Sequence, residues 1–257
     1  MATGTTRFCL TNLAVKASAS STYPALKTTP SALPNYPASN VLNPDRSVVW
    51  AVGAVSGAHK LIYDLGAAKD VDILGVHGYS VVYVMPSQVT VRAGNVYPDP
   101  GDGSWVGIAY VYMAGGRDKL MVLSEVARYR YWEFAFELNI SGFSVGKGVL
   151  GRSTDLGIAF SAGSTDTYVR TRVSTPMVNG SQTKTETGRP YRKFNTQFLR
   201  VPQATRDALM AAAAAAPVSL LDPYDRSFEI DLDELTATAV WGSPDLYDIA
   251  FEAQSLP

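Results

Sequence analysis

Between Val48 and Ile140 the chain is a series of short apolar runs broken by glycine, proline and aspartate, with no helical periodicity. The clearest run is Tyr129–Ile140 (YRYWEFAFELNI), where Trp132, Phe134, Phe136, Leu138 and Ile140 fall on one side and Glu133, Glu137 and Asn139 on the other. A repeat of two is that of a strand with one buried face. His59–Leu65, Val71–Gly78, Gln88–Ala93 and Trp105–Met113 follow the same pattern, with turns expected at Gly66, Gly94 and Asp99–Gly103. Several such strands at short spacing predict an antiparallel sandwich. The first 47 residues carry Pro24, Pro30, Pro34, Pro37 and Pro44 among many Ser, Thr and Ala. They are expected to wrap the sandwich as extended loops.

The pattern changes after Gly151. A polar stretch runs to about Pro190, and Phe194–Val201 then reads as a strand. One helix is predicted over about 203–216: Pro202 suits a first helical turn, Ala204–Ala216 are nearly all strong helix formers, and Pro217 stops it. Strands are expected at Val218–Leu221, Ser227–Leu232, Leu235–Trp241 and Leu246–Phe251. The fold class is therefore mainly β, a sandwich over residues 1–145 and a second small β-rich domain with one helix over 152–257.

A chain of 257 residues, 46% apolar, has enough material for two cores. Charged residues make up 18% and the formal net charge is -1, so no surface devoted to sequence-specific nucleic acid or to acidic lipid is indicated. The charge is unevenly placed. Residues 152–206 hold nine Lys and Arg against three Asp and Glu, and residues 207–257 one against ten. These segments either form opposite faces of a head-to-tail assembly or neutralise each other as neighbouring strands of one domain. Cys9 is the sole cysteine and sits in the apolar run Phe8-Cys9-Leu10, the usual setting of a buried thiol. No apolar run of 18 residues occurs and MATGTTRF lacks a signal-peptide core, which predicts a protein with no membrane anchor, made in a cytoplasm.

Residues Gly142–Gly151 (GFSVGKGVLG) match two catalytic patterns and nearly match a third. As a nucleophile turn, Gly142-Phe143-Ser144-Val145-Gly146 needs a following helix and a later histidine, but His59 and His77 both precede Ser144. As a dinucleotide fingerprint, Gly146–Gly151 should open a helix inside an alternating strand and helix unit, and Arg152–Gly157 does not begin one. As a phosphate loop, Gly146-Lys147 has Gly148 where Ser or Thr would hold magnesium. All three are expected to be chance matches in a glycine-rich join between domains, and no catalytic residue is assigned. His59 and His77 lack partners at zinc spacing, and Asp222/Asp225 and Asp231/Asp233/Glu234 lack a calcium-loop glycine, so neither a metal nor a cofactor is expected. Tyr23, Tyr36 and Tyr97 fall in loops and are the candidates for stacking on a sugar or a partner protein.

Pro37–Trp50 (PASNVLNPDRSVVW) resembles the opening of discoidin-like, galactose-binding-like jelly rolls, in which a loop leads into a buried Trp. Leu61–Gly66 (LIYDLG) followed by Val71–Val76 resembles that family's D-L-G strand and its successor, and Ala127–Trp132 its closing strand. The resemblance implies a jelly roll over roughly residues 1–145. Secreted animal members tie their ends with a disulfide that Cys9 alone cannot form. From Gly188–Phe194 (GRPYRKF), through Thr205–Leu209 (TRDAL), to Pro217–Pro223 (PVSLLDP), the layout resembles virion structural proteins at the tail tip of long-tailed bacteriophages. That second resemblance implies a non-enzymatic distal tail or baseplate subunit, a homo-oligomeric ring that contacts other tail proteins in the virion. The alternative function is a carbohydrate-binding protein recognising a host-surface glycan through jelly-roll loops.

Overall fold

A computed structural model describes the chain except for residues 1–4, 29–31, 46, 53–56, 80–87, 98–103, 114–117, 139–142, 156–164, 171, 177–181, 187–190, 215–216, 223, 225 and 256–257. The expected turn at Asp99–Gly103, the ends Asn139–Ile140 of the alternating run and Gly142 lie outside the described residues. The chain divides into two compact units, Phe8–Thr154 and Asp155–Pro257, the latter with the residues up to Arg7.

The first unit is an antiparallel sandwich. After β1 (Arg7–Cys9), which spans the boundary of the two units, its strands are β2 (Ala25–Leu26), β3 (Trp50–Ala51), β4 (Gly57–His77), β5 (Gln88–Gly94), β6 (Val106–Tyr112), β7 (Lys119–Leu138), β8 (Ser144–Val145) and β9 (Lys147–Gly151), with a 3-10 helix at Ala38–Leu42. The main sheet runs β2-β4-β7-β5-β6 with β9 also on β4, and β3 pairs β8. Among the described residues before Trp50, β1, β2 and that short helix are the regular elements, in keeping with the proline content.

Two expected strands, His59–Leu65 and Val71–Gly78, are one strand, β4, lying against the equally long β7. Two register shifts bend the pair. Asp64 faces Tyr131 and Lys69 faces Tyr129, so residues 65–68 sit opposite Arg130 alone; further on, Val71 faces Ala127 and Ile73 faces Val122, so residues 123–126 sit opposite Asp72 alone. Extra residues on one strand bend and twist a ladder. At the first of these bulges Gly66 has φ 79°, the left-handed region that glycine enters without a Cβ penalty.

Alternation puts Leu61 and Tyr63 of β4, Trp132, Phe134 and Phe136 of β7, and Val89, Val91 and Ala93 of β5 into one core with the fully buried Trp50. The aromatic rings meet edge to face, Trp50 on Phe136 at 5.8 Å and Tyr63 on Phe134 at 5.7 Å, the arrangement that ring quadrupoles favour.

The glycine-rich stretch is not a join. From Phe143 onward it belongs to the sandwich: β8 pairs β3, and β9, buried throughout, pairs Ile73–His77 of β4. Its glycines permit close approach. A Cβ at Gly148 would lie 2.7 Å from the Tyr63 hydroxyl oxygen, and one at Gly151 2.5 Å from Cys9 Sγ. Asn12 binds the same strand from the other side, its Nδ2 donating to the Gly148 carbonyl (2.8 Å) and its Oδ1 accepting from the Leu150 amide (3.1 Å). Cys9 is buried, and burial pushes its thiol up to about 12.

After β10 (Ser153–Asp155), the second unit contains β11 (Thr165–Val169), β12 (Arg172–Pro176), β13 (Gln182–Glu186), β14 (Tyr191–Pro202), α1 (Gln203–Ala213), β15 (Val218–Leu221), β16 (Ser227–Val240) and β17 (Ser243–Ser255). Strand order is β15-β16-β17-β14-β11, and β12 and β13 form a separate hairpin. Pro202 ends β14, paired with Leu246, instead of opening the helix, which starts at Gln203. The two strands expected over Ser227–Leu232 and Leu235–Trp241 are one, with a bulge between Leu232 and Glu234. The basic and acidic segments lie side by side within this unit: β14 pairs β17, Lys193 bridges Glu252 at 2.8 Å, and the Arg200 amide donates to Asp248 at 2.9 Å.

Candidate functional site

The sheet has a second face, opposite the core. There β4 places Lys60, Ile62 and Asp64, β7 places Tyr131 and Glu133, and β5 places Arg92; Asp64 faces Tyr131 and Glu133 faces both Ile62 and Arg92 across the strands. These positions alternate with core residues, so water would be their ordinary surroundings. Instead Ile62 and Tyr131 are buried, because Trp105 stacks on Tyr131 (6.3 Å between centroids, 17° between planes) and closes a small apolar cluster with both. The absence of a side chain at Gly94 makes room, since a Cβ there would meet the indole at 2.5 Å. The indole N–H donates to the Val96 carbonyl at 2.7 Å, which fixes the ring.

Two carboxylates are held in this layer, each between two cations. Asp64, with no exposed side-chain surface, accepts from Arg130 Nε (2.8 Å) and Nη2 (3.0 Å) and from the Gly66 amide (2.9 Å), and lies 3.2 Å from Lys27 Nζ. The bulge accounts for the geometry: it leaves Arg130 alone opposite residues 65–68, so its guanidinium reaches back along the strand to Asp64. Burial alone would raise the Asp64 carboxyl, but Arg130, the Gly66 amide and Lys27 outweigh it and hold the group below its ordinary 3.8. The same hydrogen bonds raise Arg130 further above its ordinary value. Glu133 lies 3.3 Å from Lys60 Nζ and 3.7 Å from Arg92 Nη1. The acids are covered, at 0 and 5% exposed, whereas the four cations are 31 to 45% exposed. Among the described residues, this face presents four partly exposed cations to water over two sheltered carboxylates.

Two of the three candidate tyrosines meet here. Tyr23 packs its ring over Gly66, and Tyr97 donates its hydroxyl to the Lys27 carbonyl (3.0 Å) with its ring 5.6 Å from Tyr131. Each thus touches a residue bonded to Asp64, and each stays open to solvent, at 44 and 38%. Tyr36 is as exposed but belongs to the β3 region, where its carbonyl accepts from the Ala51 amide. Sequence reasoning missed Lys27, Lys60, Asp64, Arg92, Trp105 and Arg130 as members of one surface. Glu133 was placed on the outer face by alternation, which was the one available signal.

Ser144 and Lys147 of the catalytic patterns lie on strands. Ser144 is in β8 opposite Ala51, and Lys147 is buried in β9 with its ammonium donating to the Pro44 carbonyl at 2.7 Å. His59 lies against Trp50, ring centroids 6.2 Å apart, and His77 Nδ1 lies 3.2 Å from Asp118 Oδ1. Asp222 closes the turn between β15 and β16, accepting from the amides of Tyr224 and Arg226 and from Arg226 Nε. Asp225 lies outside the described residues, and Asp231 is exposed. Among the described residues no three His, Cys, Asp or Glu gather as metal ligands, and no helix is long and apolar enough to cross a membrane. An open cleft of about 510 Å³ runs between β6 and β7, lined by Ile108, Met121, Leu123 and Tyr129 with Glu125 and Arg128.

No family model matches the sequence, and no curated protein matches it. Among solved structures, similarity extends over about half of this chain. Chitosan-binding module 1 of a chitosanase/glucanase from Paenibacillus sp. IK-5 is 15% identical over 55% of this chain and 99% of its own, with a TM-score of 0.44. The family 32 carbohydrate-binding module of Clostridium perfringens NanJ, solved with galactose, is 14% identical over 49% of this chain and 91% of its own, TM-score 0.41. CBM32-1 from a family 31 glycoside hydrolase of C. perfringens is 11% identical over 51% and 95%, TM-score 0.42. None of the three is a phage tail component. The architecture of the described residues is mainly β, an antiparallel sandwich and a second β-rich unit with one α-helix.

Proposed function

We propose that the protein is a non-catalytic binding protein whose Phe8–Thr154 jelly roll holds a carbohydrate on the Tyr23 and Tyr97 surface. The observation that carries this reading is the convergence of two exposed tyrosine rings on residues bonded to Asp64, beside guanidinium and ammonium donors. A pyranose presents an apolar C–H face, which stacks on an aromatic ring, and a rim of hydroxyls, which accept from Arg and Lys. Both kinds of group are present, and the hydrogen bonds within the layer preorganise them. Screening the intact protein on a broad glycan panel should give retention that weakens roughly tenfold in Tyr97→Ala, the loss of about 1.4 kcal/mol of stacking, with an unchanged melting temperature. A folded protein that binds no sugar on the panel refutes this function.

A second reading, assembly into a virion structure such as a phage tail tip, draws on Trp241. This side chain is fully exposed at the tip of the hairpin between β16 and β17, where Val240 faces Ser243 and Gly242 has φ 76°. A whole indole left in water is an anchor suited to a pocket on another protein. Light scattering at assembly-like concentration separates the readings: assembly requires a species larger than the monomer that Trp241→Ser abolishes, whereas a monomer in both leaves the carbohydrate function alone.

A further inference from the structure

We infer that the ligand of the tyrosine surface is an acidic polysaccharide, one that carries carboxylate or sulfate groups along its chain. This rests on the carbohydrate reading above and assigns the class of sugar. The cations of the face stand outward while their partner acids are sheltered behind them: Lys27 and Arg130 cover Asp64, and Lys60 and Arg92 cover Glu133. Among the described residues the layer thus presents partly exposed cations to water and keeps its carboxylates covered, in a chain whose formal total is -1. Each sheltered acid also holds its cations in place, so the rotamer cost of fixing a long basic side chain is met before a ligand arrives. The aromatic groups lie within the same layer: Arg130 stands 4.9 Å above the Tyr131 ring and Arg92 6.0 Å from the Trp105 ring. Along β4 the two pairs sit at Lys60 and Asp64, four residues apart, which is about 13 Å of strand. Outward cations at this spacing suit a polymer with one anionic group per ring or per disaccharide. Duplex DNA, with one charge per about 1.7 Å of its axis, would call for a denser basic stripe. A polycation such as chitosan would be repelled.

The test uses the full chain against polygalacturonate, a neutral glucan of matched length, chitosan and duplex DNA. The expected result is polygalacturonate binding at least about tenfold tighter than the neutral glucan, weakening severalfold as salt rises from roughly 50 to 500 mM because the cations are solvent-facing. The double variant Lys60→Gln/Arg92→Gln should lose that preference, its affinity for polygalacturonate falling to no more than that for the neutral glucan. Lys27→Gln, which leaves Asp64 its two bonds from Arg130, should reduce the preference in the same direction and gives a second readout if the double variant is poorly folded. Equal affinity for acidic and neutral polymers, a preference indifferent to salt, or equal competition by DNA overturns the inference and leaves the carbohydrate reading standing where Tyr97→Ala still weakens binding. Retention of none of the polymers by the folded protein overturns both.

Discussion

Asp64 is the residue on which the outer layer turns. Its carboxylate, with no exposed side-chain surface, accepts two bonds from Arg130 and one from the Gly66 amide. Replacing it with Asn keeps the shape and one acceptor but leaves two cations facing a neutral group. We expect Asp64→Asn to cost roughly 1–3 kcal/mol at neutral pH, measured by urea unfolding. The pH dependence has a definite sign. The folded-state group is held below 3.8, so its contribution is fully present above 3.8 and is lost as pH falls through the lower folded value. The stability gap between wild type and Asp64→Asn should therefore be constant above that value and narrow in stronger acid. A gap that widened on acidification would contradict the arrangement.

At the scale of elements, the glycines of β9 give the sharpest expectation. Gly148→Ala brings a methyl group to 2.7 Å from the Tyr63 hydroxyl oxygen, and Tyr63 is fully buried, so the strand or the ring must shift. Overpacking of this kind costs about 1–3 kcal/mol and should lower the urea midpoint without changing the slope. That same stretch shows where the sequence stopped being legible. Period-two alternation located β5, β6 and most of β7, and in β5 and β7 the buried face is marked by large apolar side chains. In β9 the mark is missing: glycine was taken for conformational freedom when its role is closeness to Tyr63 and Cys9. Composition cannot separate these roles, since the distinction lies in what sits opposite. Pro202 was misplaced for a related reason, its missing N–H fitting the end of β14 as well as a helix start. The candidate surface was legible in part. Tyr23 and Tyr97 were found as loop aromatics, but Lys27, Asp64, Arg92 and Arg130 come from β2's flank, β4, β5 and β7, and only the register of three strands and a bulge brings them together.

For the whole molecule, the uneven charge along the chain resolves inside the second unit, where basic β14 runs beside acidic β17 and Lys193 meets Glu252. The positive layer of the first unit comes from residues 27–130, a part of the sequence with no run of basic residues. Charge that matters to a partner is thus set by which side of a sheet a residue takes, and totals over a segment miss it. The single thiol has a practical consequence at this scale. Cys9 is enclosed between Gly151 and the Thr11 carbonyl and stays protonated far above neutrality, so maleimide chemistry should leave the native chain untouched. A cysteine introduced at an exposed site such as Ser124 would then take a fluorophore alone, giving a clean optical reporter without first engineering a thiol-free background.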